Sequence, residues 1–306
     1  MRFFANYTMR GSNQALFAIC GFAIASPFIP IIGILAGLIS TALFALVVLR
    51  KGGMEGLKVL FFSELVMGVF GAMLTGNALL GLAYGLLLWL PILPAALILR
   101  EFSSLALAME SALALGVTIV IGFYSMVEDP AGYWKGKLMD LLQALSANAP
   151  ESIDPVKMTG AIDPFTHYMT GAIVAESVLS LVLALLLARW LQAALYNPGG
   201  FRREFLNLRL HSVLVYAGLI CILTGLIAGG GLIAELAWNV FGGFLVLFTI
   251  NGVSILHAVL EGKRHWIVIM YMAWFFLPFI PWFLPLIAML GMSDQWVNWR
   301  MRAKNS

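Results

Sequence analysis

Three glutamates, Glu64, Glu110 and Glu176, fall inside stretches otherwise apolar enough to span a bilayer, in a chain of which only 11% is charged. An ionised carboxylate at the centre of a membrane helix is unfavourable by roughly 2.5–3.5 kcal/mol on insertion scales, so such a group is protonated, paired or turned to a polar cavity. The three therefore form the candidate intramembrane site for a proton or a substrate. Glu64 and Glu110 each lie about six or seven residues into their segments from the same basic flank, so at about 1.5 Å per residue both are expected roughly 10 Å deep, which allows them to share a layer. Two adjoining carboxyls hold one proton between them because both cannot ionise together, the chemistry of a proton-coupled site. Glu176, about nine residues from the opposite flank, is expected nearer the midplane and apart from them. The plainer reading is that each is a protonated, hydrogen-bonded packing residue, with Ser63, Ser111 and Ser177 marking polar helix faces.

The remaining polar residues offer less. Asn77, Asn239, Asn251 and His257 are expected to make interhelical hydrogen bonds, worth about 0.6 kcal/mol on average. Asn251 and His257 are six positions apart and fall on different faces of a straight helix. Glu235 stands close to a helix end and reads as interfacial. Every aspartate (Asp129, Asp140, Asp154, Asp163, Asp294) lies in a loop or tail, which excludes an intramembrane aspartyl pair. His167, His211, His257 and His265 form no HExxH pair, and neither a GxSxG elbow nor a GxxxxGK[ST] phosphate loop occurs, so the chain carries no ATPase of its own and reads as a non-enzyme. Cys20 and Cys221 sit in apolar segments as small packing residues, and neither metal nor cofactor is implied.

The elements that must position these groups are membrane helices. The chain has 306 residues, 61% of them hydrophobic, where a soluble domain has about 45–50%. Its mean hydropathy is +0.95. About 20 apolar residues cross a hydrocarbon core of roughly 30 Å. Segments near 14–27, 31–49, 57–75, 78–99, 104–126, 167–195, 210–229, 232–260 and 266–290 meet or approach that length. The expected fold is all-α, a polytopic transmembrane helix bundle with about 8–10 spanning or re-entrant segments, forming one integral membrane domain over residues 1–306. The opening stretch lacks a small-residue cleavage site and reads as a retained first segment.

Lys and Arg set the orientation. Arg2 and Arg10, then Arg50, Lys51 and Lys58, Arg100, Arg202, Arg203 and Arg209, and Lys263 and Arg264 occupy alternate flanks. With a cytoplasmic N-terminus all of these are cytoplasmic, and the acidic connection at about 128–166 is extracytoplasmic. Nine crossings put Arg300, Arg302 and Lys304 on the opposite side from the other basic flanks, so the last segment, interrupted by Pro278, Pro281 and Pro285, is expected to turn back as a re-entrant hairpin. The PFIP of 27–30 recurs at 278–281, a pairing that inverted repeats produce. The net charge of +3, spread along loops, carries no nucleic-acid footprint.

Two surface helices are also expected. Tyr133–Ala147 places Trp134, Leu138, Leu141, Leu142 and Leu145 on one face, suiting a helix at the outer interface. After the stop Asn197-Pro198-Gly199-Gly200, Phe201, Phe205 and Leu208 recur at helical spacing beside Arg202, Arg203 and Arg209, a candidate cytoplasmic interface. Small residues four apart (Gly21 and Ala25, Gly33 and Gly37, Gly68 and Ala72, Gly81 and Gly85, Gly225 and Gly229) allow close helix approach.

Leu49-Arg50-Lys51-Gly52, the turn Asn197-Pro198-Gly199-Gly200-Phe201-Arg202 with Arg209, and Gly291-Met292-Ser293-Asp294-Gln295-Trp296 followed by Arg300 resemble the YybS-like family of bacterial membrane proteins of unknown function. That family looks distantly similar to the substrate-binding S components of energy-coupling-factor transporters, which dock on a shared ATPase module through a small-residue helix face. The resemblance implies a multi-pass protein of the bacterial inner membrane and suggests small-molecule uptake, and it assigns no substrate-binding residue. The usual S component has six spans, fewer than this chain is expected to have. The functional expectation is therefore a small-molecule transporter or substrate-binding transporter subunit. Its partners are then the lipid bilayer, a small-molecule substrate and a separate ATPase module or other membrane protein. The rival class is a non-catalytic membrane scaffold.

Overall fold

The computed structural model describes residues 1–28, 32–146, 155–261, 263, 265–268, 270–271 and 283–305, and among them there is no strand. The helices are α1 (Arg2–Met9), α2 (Ser12–Ala25), α3 (Ile32–Lys51), α4 (Gly53–Thr75), α5 (Ala78–Trp89), α6 (Ile92–Phe102), α7 (Leu105–Met126), α8 (Pro130–Ser146), α9 (Pro155–Thr166), α10 (Met169–Tyr196), α11 (Gly200–Leu206), α12 (Ser212–Ile227), α13 (Gly231–Val259), α14 (Phe283–Val297) and α15 (Trp299–Asn305). Among the described residues, six stretches are long and apolar enough to cross a membrane: α3, α4, α5 with α6, α7, α10 and α13. The protein is an all-α, multi-pass integral membrane protein. Three further apolar segments are shorter helices. α2, α12 and α14 have 14, 16 and 15 residues, or about 21–24 Å at 1.5 Å each, less than the roughly 30 Å core.

The bundle is built around α3. Its eight successive residues Ala42–Leu49 are at most 4% exposed, as befits a helix that is apolar on every side. α2, α4, α6 and α10 pack around it, and α10 joins this group to a second one made of α7, α12, α13 and α14. One span is interrupted, and α2 packs antiparallel on α3, Ser40 Oγ donating to the Ile19 carbonyl at 2.7 Å. The chain passes from α2 into a 3₁₀ turn at Ser26–Phe28 before α3 starts. α5 breaks from α6 at Leu90–Pro91, where the proline has no N–H to offer the Leu87 carbonyl.

Basic residues gather at one end and tie it together. Arg50 lies over the Tyr196 ring at 3.7 Å, joining the ends of α3 and α10. Arg100 donates from Nη1 to the carbonyls of Val48 and Leu49 at 3.3 and 3.2 Å, adding to the Gly52 N–H already on Val48 and capping the last turn of α3. The opposite end holds the acidic connection. There α8 forms as the Tyr133–Ala147 spacing suggests, and Trp134 Nε1 anchors it by donating to Thr170 Oγ1 at 2.8 Å. Trp134, Leu138 and Leu142 are half-buried, whereas Leu141 is exposed.

At the basic end, the helix expected to carry Phe201, Phe205 and Leu208 stops at Leu206. The reason is a competing donor: Arg300 binds the Leu206 and Leu208 carbonyls at 2.8 and 2.6 Å, drawing the chain into a non-helical stretch that buries Leu208 and Leu210. The same contacts place α15 at the basic end, on the side expected for the tail. The turn-back itself involves 272–282, and the PFIP pairing involves 29–30 and 278–281; both lie outside the described residues.

Candidate functional site

The three glutamates occupy three unlike environments. Glu64 is eleven residues into α4, about 16 Å along the axis, because α4 starts at Gly53 rather than near residue 57. Glu110 is five residues into α7, about 8 Å. The expected common layer is therefore not formed, and Glu64, not Glu176, is the deepest of the three.

Nor do Glu64 and Glu110 share a proton. Both oxygens of Glu110 are engaged by His211: the backbone N–H donates to Oε1 at 2.8 Å, and Nδ1 lies 2.7 Å from Oε2. His211 is the N-cap residue of α12 and makes no side-chain cap of its own, so a carboxylate from α7 secures the start of α12. Glu64, only 9% exposed, has neither oxygen hydrogen-bonded among the described residues.

Glu176 opens into a cleft of about 520 Å³ between α3, α5, α7 and α10. Seven residues into α10, it lies about 10 Å from that helix's start, and its Oε1 accepts from Ser180 Oγ at 3.1 Å. The cleft is mostly apolar, with polar groups concentrated on Glu176, Ser177, Ser180, Ser26, Thr41 and Tyr84. The 3₁₀ turn after α2 and the α5–α6 break both reach it, through Ser26 and Pro91. Tyr84 donates to Ser26 Oγ at 2.8 Å, and Thr41 reaches the Leu88 carbonyl at 3.3 Å. Ile34, Leu87 and Ile119 are exposed along its mouth, so the cleft faces sideways toward the surrounding bilayer. Ser180 was readable from the sequence as the i+4 neighbour of Glu176. Tyr84, Ser26 and Thr41 arrive from other helices and gave no local signal.

A second polar cluster closes the end opposite the basic one. Glu235 accepts from the Tyr124 hydroxyl at 2.7 Å and lies 2.7 Å from His167 Nδ1; it is an interhelical tie more than a solvent-facing residue. Behind it, Asn239 accepts from Gly171 N and donates to the His167 and Glu235 carbonyls and to Tyr124 Oη. Asn239→Leu leaves the His167 carbonyl and the Gly171 N–H without this partner, so a loss of about 2–3 kcal/mol is expected in thermal unfolding, against under ~1 kcal/mol for Asn77→Ala at the exposed α5 cap.

Asn251 makes the interhelical bond expected of it, donating to Gly291 O at 2.8 Å, while His257 bonds within its own helix to Val253 O. The three arginines of the candidate interface divide. Arg202 and Arg203 are exposed on α11, Arg202 pairing with Glu261 at 3.0 Å. Arg209 turns to the Asp294 carbonyl at 3.2 Å, joining the junction around Arg300. There burial draws the Arg300 guanidinium below its ordinary pKa, and Asp294 opposes that shift. No family model, curated protein or solved structure matches the chain.

Proposed function

We propose that the protein is a small-molecule transporter, or the substrate-binding subunit of one, and that its ligand is a largely apolar molecule bearing a cationic or hydrogen-bond-donating group. The observation that carries this reading is the Glu176 carboxylate, met by a single serine hydroxyl, in a cleft of about 520 Å³. Ligand sites of about 300–1,000 Å³ with apolar walls and a few convergent polar groups are the common form. A carboxylate at this depth favours a partner of opposite charge. The proline break at Leu90–Pro91 beside it matches the way transporters interrupt a span next to their cargo. The bacterial inner membrane and kinship with the YybS-like family belong to the same proposal.

The test is what travels with the protein. Purified in mild detergent and then denatured, wild type should release a small molecule visible by mass spectrometry, and Glu176→Gln should release roughly tenfold less, the effect of losing about 1.4 kcal/mol of affinity. Equal recovery from both would remove Glu176 from the site.

The sideways opening of the cleft also favours a second reading, a scaffold whose partner inserts a helix there. Affinity purification separates the two: a stoichiometric ATPase module supports transport, and a structural or biosynthetic membrane protein supports the scaffold.

A further inference from the structure

Glu64 lies outside that cleft and has a setting of its own. Its two carboxyl oxygens each lie 2.8 Å from where a β-carbon on Gly85 would stand, so the group rests against the bare backbone of α5. Neither oxygen has a hydrogen-bond partner among the described residues. An ionised carboxylate sealed there without a donor would forfeit hydration and gain nothing in return. The closed contact between α4 and α5 therefore requires the neutral acid.

The helix pressed against Glu64 is short and bounded by a break at each end. α5 has 12 residues, runs from the Gly76–Asn77 turn, where Gly76 has φ +72°, and ends at the Leu90–Pro91 break. Its other side supplies Tyr84, Leu87 and Leu88 to the cleft. One short helix thus has the acid on one face and the cleft on another, the physical form of a two-state coupling element.

We infer that Glu64 is a proton-binding site that latches α5 onto α4: with the proton bound the two helices close over it, and loss of the proton lets α5 swing away and reshapes the cleft. Other ionisable groups near it are few. α2 contributes the Cys20 thiol, and α5 contributes Tyr84, whose hydroxyl is turned to Ser26. α3 and α6 carry charge only at their basic ends, in Arg50, Lys51, Arg100 and Glu101, and α4 itself carries Glu55 and Lys58 two turns away. Glu64 is thus the group whose titration the contact feels. The consequence for the cleft rests on reading the cleft as a ligand site; the latch does not.

The test measures the latch without any ligand. The full chain, with Cys20→Ala and Cys221→Ala, is spin-labelled at Phe61→Cys on α4 and Leu86→Cys on α5, both exposed positions, and reconstituted in nanodiscs. In acid one short distance is expected. As pH rises a longer one should grow from a minor state of roughly 10% or less to the major one. Glu64→Gln should hold the short distance at every pH, and Glu64→Asp should keep the transition. The infrared carbonyl band of a buried carboxylic acid should be present in the acid form and missing from Glu64→Gln. The same pH response in Glu64→Gln, or a wild-type distance unmoved across the range, overturns the latch. Either result leaves ligand recovery through Glu176 as a separate measurement.

Discussion

Arg300→Ala should lower the unfolding free energy by about 3–5 kcal/mol, the cost of leaving a buried charge without its partner. Asp294 is 1% exposed on its side chain and Arg300 12%, and Nη1 of the arginine meets the carboxylate directly. The guanidinium fork also serves the Leu206, Leu208 and Ser254 oxygens, so its loss strands acceptors on α13 and on the α11–α12 connection together. Arg300→Lys should fall in between, since an ammonium cannot meet the same planar set of directions. Arg300→Met combined with Asp294→Leu should recover much of the loss, because no charge is then buried alone. Thermal unfolding in detergent, followed by tryptophan fluorescence, reads all three against wild type. A change within about 0.5 kcal/mol for Arg300→Ala, the range of an ordinary surface substitution, would show that the tail does not fasten this end.

That junction also shows what the sequence made visible. Gly291–Trp296 with Arg300 and the Asn197–Arg202 turn with Arg209 stood out as separate stretches, and the fold brings Arg209, Asp294 and Arg300 together, yet by sequence their charges spoke only about orientation. Orientation follows from counting Lys and Arg along the chain; a buried pair depends on a backbone path through Leu206–Leu210 that no local periodicity encodes. The helices themselves were legible because about 20 apolar residues in a row have few alternatives in lipid. Depth along them was less so. Hydropathy places a helix start where apolar residues begin, but Gly53–Gly56 are already helical, which moves Glu64 inward by a full turn and separates it from Glu110. The partners of the glutamates were hidden for a related reason. His211 against Glu110 and Gly85 against Glu64 come from other helices, and a charge in an apolar run announces that it must be satisfied without saying by what.

Small residues four apart were equally ambiguous, and the largest consequence of resolving them falls on Gly81. A β-carbon there would stand 1.9 Å from the Met67 carbonyl oxygen and 2.9 Å from Gly71 Cα. Both are backbone atoms, so no rotamer relieves the overlap and α4 and α5 must part. Overpacking of a close-fitted interior costs about 1–3 kcal/mol and occasionally more, and Gly81→Ala is expected at the top of that range or above it. Gly21 has the same spacing pattern in sequence but nothing within 4 Å of its would-be β-carbon, so Gly21→Ala should change stability by under ~0.5 kcal/mol. Unfolding midpoints for the two variants, measured side by side, decide whether the α4–α5 contact is as tight as the atoms indicate; equal and small losses would show that it is not. The same wedge bears on Glu64, four residues along α5 from Gly81 by way of Gly85. Parting the helices admits water to the carboxyl and removes the reason for it to stay neutral. Gly81→Ala should therefore show the longer α4–α5 distance even in acid, where only the closed state is expected of the wild-type chain.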